Sequence, residues 1–485
     1  MTLIISRFAC SLLLCVLAMT SAYADTINGK NFYPNMEIWV THFKEDILPY
    51  WVMKEALGTP VGNFPTFRDM SGKLGKNSDR YVRTIARQAY TYSIGYLLTG
   101  DEKLLSYARS GVEWIEKHAV DEKKGFYTKL DEAGRPISKS KSAQDLAYIA
   151  LAYAADYFVT RNPTSQHRLD EVIELIFEGP FWSSQRGMII DALDNDLLNE
   201  VEFENDGADI VSILDQVNAY LLLYANQIQP INKKRSILHK LRLLGDLLIE
   251  RFYSERIFWN TDLNRVDYGA KHIDTGHTMK TYWMLHRIHS LWQNEFKYDL
   301  YSNILSNIKP LMIQAYGIDP NSFWGMRFSP YLGIIKTNID WWIHIELDQL
   351  AADLSMSDKT FVEMLNNKSR VWLQSNFVDR SRSVRGIRDG VRWDNSLFGN
   401  EETGKSKAHE WKNGYHETEH CLVLNITSHA ILEKPLVLYF ALSSKEEASL
   451  VKPYFYLGRV VDINDQGKIS NFDLHKFAVT FADIR

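Results

Sequence analysis

The sequence predicts a mainly helical protein folded as a closed ring of six helical hairpins, an (α/α)6 barrel, with a small β-rich appendage at its C-terminus. Three observations predict it. Apolar residues recur at three- and four-residue spacing through most of residues 35–432, with no alternating strand series between the runs. A short glycine-bounded segment carrying an Asp turn recurs between helical runs. No Pro/Gly/Ser-rich linker divides the region, so one domain is the economical reading of a 485-residue chain.

Taken in order, the helical runs lie at 38–57, 81–98, 102–118, 143–159, 168–177, 210–225, 236–252, 278–292, 300–314, 339–354, 359–377 and 416–432. Twelve helices make six hairpins, and loops at one end of the inner helices would form a cup. Between runs, Gly62-Asn-Phe-Pro-Thr-Phe-Arg-Asp-Met-Ser-Gly72 resembles Gly125-Phe-Tyr-Thr-Lys-Leu-Asp-Glu-Ala-Gly134. Gly390-Val-Arg-Trp-Asp-Asn-Ser-Leu-Phe-Gly399 is a looser third copy. Each reads as short strand, turn, short strand. After Pro435 the character changes, and 436–441, 454–462 and 477–481 are β-rich. The stretch 462–473 has the length of a calcium loop. Gln466 and Asp473 are poor choices at its ligand positions, and it reads as a plain β-turn.

The first 24 residues read as a secretory signal. Arg7 is the positive end, an apolar stretch follows, and Ala22 and Ala24 precede a cleavage site at Asp25. The expected division is therefore a signal peptide at 1–24, a barrel at 30–433 and a β-rich extension at 434–485. Cys10 and Cys15 fall in the signal, which leaves Cys421 alone in the mature chain and no internal disulfide. Export without disulfides points to a bacterial periplasm, with no membrane contact after cleavage. The formal net charge of −5 and the absence of basic runs argue against nucleic acid. The thirteen tryptophans exceed what a core alone requires and suggest a lined sugar pocket.

Two histidine clusters stand out. His277 lies in Asp274-Thr-Gly-His-Thr-Met-Lys280 and His416 in His409-Glu-Trp-Lys-Asn-Gly-Tyr-His-Glu-Thr-Glu-His420, each at a loop-to-helix junction. One histidine beside an apolar run is ordinarily a core or capping residue. Two in such surroundings point to proton transfer near neutral pH, the task for which imidazole is best matched. Glu410, Glu417 and Glu419 crowd His416 and His420, which suggests hydrogen-bonded orientation in preference to a metal site. No metal and no cofactor are expected.

Several motifs resemble the N-acylglucosamine 2-epimerase family over about residues 40–430. Arg83-Thr-Ile-Ala-Arg-Gln-Ala-Tyr90 resembles that family's arginine-glutamine-aromatic element, with Arg87 at its sugar-binding arginine. Thr275-Gly-His-Thr-Met-Lys280 resembles its first histidine element, and Trp341-Trp-Ile-His-Ile-Glu346 its tryptophan-to-glutamate helix. Trp411-Lys-Asn-Gly-Tyr-His416 resembles the second histidine element. The resemblance implies a sugar 2-epimerase or aldose–ketose isomerase acting on a free reducing saccharide through an enediolate. His277 and His416 would be the acid–base pair, and Arg87 would sit on substrate oxygens. Trp341, Trp342, Glu346, Trp411, Tyr415, Glu419 and His420 would contact substrate. Either a monomer or a homodimer fits.

The departures are specific. Lys280 stands where the family usually has glutamate. A mid-chain histidine is replaced by the neighbourhood of Asp215, Gln216 and Asn218, and Glu419 stands where an arginine is common. Asp215 and Lys280 are counted with the substrate-binding residues. Asp215 and Glu346 would also be the carboxylates of a glycoside hydrolase or lyase on the same barrel. A sugar-binding barrel without turnover is the third reading.

Overall fold

The computed structural model describes residues 31–122, 124–201, 209–259, 274–292, 299–329, 333–335, 340–380, 390–392 and 406–485. The expected signal segment, and the 393–399 part of the third glycine-bounded copy, lie outside them. Among the described residues no helix is long and apolar enough to cross a membrane.

Among the described residues the helices form two concentric layers, with six helices in the inner one. The chain enters through α1 (Ile38–His42), which runs on through a π-helical turn (Phe43–Ile47) into Leu48–Trp51. Then follow α2 (Val82–Thr99), α3 (Glu102–His118), α4 (Ala143–Thr160), α5 (Pro163–Phe177), α6 (Ile210–Gln216) and α7 (Ile231–Phe252). The π turn Val217–Leu221 carries α6 into Leu222–Gln227. Next come α8 (Thr275–Trp292), α9 (Asp299–Leu305), α10 (Ile308–Gly317), α11 (Trp341–Ser355), α12 (Lys359–Gln374) and α13 (Tyr415–Ile431), and there are two short helices besides, Lys54–Leu57 and Lys445–Leu450.

Composition sorts the layers. Every residue of α4 is buried, polar ones included, as a helix surrounded by other helices requires. In α3 only one face is buried, through Leu104, Leu105, Ala108, Val112 and Ile115. The inner ring is thus α2, α4, α6, α8, α11 and α13. α4 packs on α2 and α6, and α11 on α8 and α13; α13 returns to α2, and the outer helix α7 bridges α6 and α8. The first outer helix, α1, covers the last inner one, α13. Tyr33 fastens that closure, its hydroxyl lying 2.8 Å from Ser355 Oγ and donating to Thr427 Oγ1 at 2.9 Å. Trp39, Trp283, Trp324, Trp341 and Trp372 are fully buried, and truncating such a ring to alanine costs about 3–5 kcal/mol.

Several expected boundaries move. The helix expected from 168 begins at Pro163, where Asn162 accepts the Thr164 N–H and proline needs no N–H of its own. The one expected from 236 begins at Ile231, directly after Pro230. The run 300–314 is two helices, α9 and α10.

The Asp turn does repeat. Asp69 Oδ1 accepts from the N–H groups of Ser71 and Lys73, and Asp131 Oδ1 from those of Ala133 and Arg135. Gly72 and Gly134 follow at φ 86° and 83°, where a side chain would be strained. A further turn of this kind, unforeseen, is at Asp194, whose Oδ1 accepts the Leu198 N–H.

Beyond α13, strands Leu436–Leu442, His475–Ala482 and Arg459–Lys468 form an antiparallel sheet in that spatial order. The expected strand at 454–462 is corrected here. Pairing starts only at Arg459, because Tyr454, Phe455 and Tyr456 are buried side chains of a turn that enters the barrel floor.

Candidate active site

One end of the barrel collects the polar residues, and a simple count finds them. The sixth residue of α2, α4, α6, α8 and α11 is Arg87, Tyr148, Asp215, Lys280 and Glu346 respectively. All are buried. The Arg87 guanidinium stacks 3.6 Å from the centre of the Tyr148 ring. Gln144, one turn before Tyr148, donates to Asp215 Oδ2 at 2.9 Å. Lys280 Nζ donates to Glu346 Oε1 at 3.1 Å, and the same oxygen lies 2.9 Å from His416 Nδ1. This layer lies in the second turn of the inner helices, just beyond the unpaired N–H groups of their first turns.

His277 is in the first turn of α8. Asp274 accepts both its backbone N–H (Oδ1, 2.8 Å) and its ring Nδ1 (Oδ2, 2.9 Å). Burial opposes a charged ring here, but the charge and hydrogen bond of Asp274 outweigh it and raise the imidazole above its ordinary value. The side chain keeps 20% of its surface exposed, and its ring centre lies 4.8 Å from that of Trp342. Gly276 makes that approach possible, since a Cβ there would stand 2.5 Å from the Trp342 ring.

His416 lies deeper. Burial, with the Lys280 and Arg87 cations, pushes it down to about 3 against the pull of Glu346. Glu346 itself is held below the usual carboxylate range: burial would raise it, but Lys280 and then His416 prevail. Lys280, whose burial favours the neutral amine, is raised by Glu346. The Trp342 ring also lies 6.2 Å from His416, so the two imidazole centres are within about 11 Å of each other, close enough to flank one sugar.

The other expected residues divide. Trp342 and Trp411 are partly exposed beside these groups, whereas Trp341 and Tyr415 are buried beneath them. Trp341 donates through Nε1 to Glu417 (3.2 Å), which is paired with Lys412 at 2.8 Å. Tyr415 packs against Tyr90 and Tyr148, and Trp411 lies 3.7 Å under the Arg83 guanidinium. Arg87 Nη1 donates to the Trp411 carbonyl at 3.3 Å, while its buried Nε has no hydrogen-bond partner among the described residues. A buried donor in that state is ready to take a ligand oxygen. Glu419 sits one turn below His416. His420 does not join the group: it is fully buried, with Nε2 3.0 Å from Asp348 Oδ2 and its ring against Trp39 and Trp372. No set of three or more histidine, cysteine or carboxylate side chains among the described residues is arranged to hold a metal.

Tyr148, Gln144 and Asp274 are site residues to which the sequence motifs assign no role. For Tyr148 the signal was there, since it holds the same place in α4 as Arg87 in α2. Asp274 also had one, an aspartate just before a helix start.

A family model described as N-acylglucosamine 2-epimerase matches residues 62–411. A cellobiose 2-epimerase of Ruminococcus albus is 24% identical over 255 residues, 50% of this chain and 62% of that protein. A second from the same organism is 22% identical over 261 residues, with the same shares. The chain thus spans a little over three fifths of the length of the curated relatives it matches. Among solved structures, cellobiose 2-epimerase from Spirochaeta thermophila superposes with a TM-score of 0.68 at 17% identity, covering 81% of this chain and 96% of that one. A D-mannose isomerase does so at 0.66 and 16%, covering 81% and 99%. At such identities the likeness is one of fold.

Proposed function

This chain belongs to the N-acylglucosamine 2-epimerase family, and from that premise we propose that it epimerises a free reducing saccharide at C2, with His277 and His416 as the acid–base pair. The observation that carries the reading is the pair itself. Two imidazoles reach one tryptophan ring from different helices, and each has Nδ1 on a carboxylate that orients it.

Their surroundings push them apart, and such a split assigns roles. His416 is neutral at working pH and is the base. His277 keeps a proton closer to neutrality and is the acid. In the forward direction His416 Nε2 takes the C2 proton of the open-chain aldehyde. The C2–H electron pair becomes the C1=C2 bond, and the carbonyl electrons move onto O1. Arg87 and the helix N-termini stabilise that oxyanion. The imidazolium of His277 then returns a proton to the opposite face of C2 as the C1 carbonyl reforms. The pair is reset by exchange with water.

Lys280 fits this scheme although the family usually has glutamate there. It keeps Glu346 ionised, so that Glu346 fixes the His416 ring and stabilises its charge once the proton arrives. The same lysine and His416 occupy Glu346 Oε1, which leaves that carboxylate a poor candidate for a hydrolase acid or nucleophile. The cellobiose 2-epimerases among its relatives make cellobiose and similar disaccharides the first substrates to try.

The test is incubation in D2O with a panel of free mono- and disaccharides. Deuterium at C2 together with the 2-epimer is the expected result. A ketose product means that the enediolate is reprotonated at C1 and moves the assignment to isomerase. Sugar binding without exchange, or cleavage of the glycosidic bond, overturns the reading. We further propose a periplasmic location with the mature chain starting at Asp25. Intact mass of the periplasmic protein checks it, and a retained N-terminus refutes it.

A further inference from the structure

The C-terminal sheet lies beyond residue 411, where the family match ends, and the mechanism above gives it no work. The connection between its first two strands reaches the barrel floor. Asn226, at the end of the inner helix that continues α6, donates to the carbonyls of Tyr454 (2.7 Å) and Tyr456 (3.0 Å). Tyr454 adopts φ 60°, a left-handed conformation that disfavours a bulky side chain. That conformation accompanies a ring buried to 1% exposure. Its hydroxyl lies 2.9 Å from Tyr90 Oη on α2 and donates to Glu419 Oε1 at 2.5 Å. Glu419 is three residues after His416, on the same face of α13.

We propose that Tyr454 is a positioning residue of the site: by holding Glu419 beneath His416, it sets the charge around the Lys280–Glu346–His416 cluster. This inference rests on the acid–base reading of His416. The groups that face Glu419 are Glu346 and Gln349 from α11, Lys280 from α8, Tyr90 from α2 and Tyr415 from α13. Burial, then the like charge of Glu346, pushes the Glu419 carboxyl up to about 7, against Lys280 and the Tyr454 hydrogen bond. It therefore changes charge near neutral pH. Ionised, it adds a negative charge beneath His416 and strengthens that base. A donor to the carboxylate favours the ionised form, so loss of the Tyr454 hydroxyl must shift the change to higher pH.

Tyr454→Phe keeps the ring and removes only the hydroxyl. It should lower kcat several-fold at neutral pH with KM unchanged, and move the rise of kcat with pH upward. In Glu419→Gln that rise disappears, and adding Tyr454→Phe should change nothing more. A Tyr454→Phe profile like the wild type, or an equal effect in both backgrounds, overturns the proposal. Infrared difference spectra across the same pH range read the Glu419 carboxyl without any substrate. The protonated carboxyl band should vanish in Glu419→Gln and persist to higher pH in Tyr454→Phe. An unshifted band overturns the proposal even if no sugar is ever turned over, whereas a shifted band with no sugar turnover condemns only the epimerase reading. If Tyr454→Phe does not fold, Tyr90→Phe removes the hydroxyl on the other side of Tyr454 and must shift the band for the proposal to stand.

Discussion

His277 and His416 each open an inner helix, each stand close behind a glycine, and each present Nδ1 to a carboxylate. The two rings nevertheless shift in opposite directions. Asp274 belongs to the same helix start as His277 and faces partly open surroundings, so its charge raises the ring. Glu346 reaches His416 from another helix and is already neutralised by Lys280, so burial and nearby cations win. A carboxylate at hydrogen-bond distance does not by itself make a histidine basic. What counts first is how deeply the ring is buried, and then which cations stand beside it.

The largest test of that contrast removes each ring. His277→Ala and His416→Ala should each lower the rate by on the order of 10²-fold or more, the lower range for general acid–base catalysis. Each should abolish net interconversion while sparing proton exchange on one face of one epimer, which NMR in D2O reads. Two folded, nearly fully active mutants would sink the mechanism.

Lys280→Met sharpens the comparison by making the two sites alike. With the cation gone, Glu346 should raise His416, and the acid limb of the rate profile should move to higher pH. Breaking a buried pair also costs about 3–5 kcal/mol, to be read by urea denaturation. Joining Glu346→Gln to it should return much of that loss.

Acid denaturation gives the next effect. Glu346 is held below its ordinary 4.5, so its contribution to stability is complete above that pH and fades as pH falls through the lowered folded value. The urea midpoint of the wild type should therefore drop more steeply below about pH 4 than that of the Lys280→Met, Glu346→Gln double variant. Parallel curves would show that Glu346 is not depressed.

Asp274→Asn should have the smallest effect. His277 is raised above 6.5, so its pairing stabilises the fold fully below that pH and ceases to do so as pH rises through the folded value. The amide still caps α8, so stability should change by no more than about 1 kcal/mol. The alkaline limb of the rate profile should move down, and an unmoved limb would assign it to another group.

The three- and four-residue spacing of the chain's apolar residues was enough to determine its helices, because a helix must bury at least one face. The Asp turns and the two histidine elements were legible for the same local reason: a turn or a helix start is built from residues a few places apart. Asn162-Pro163 is an equally local start signal, but periodicity alone places that helix from 168. Tertiary structure alone decided the rest. His420 carries the same chemistry as His416, but α13 turns it toward Asp348 and away from Glu346. Tyr454 reads as strand because aromatic residues favour strands, yet it enters the floor to meet Glu419, 35 residues earlier in sequence. Lys280, Glu346 and His416 share one carboxylate oxygen across 136 residues of chain. Their charges depend on burial and on each other, and those are properties of the packed ring that no local spacing records.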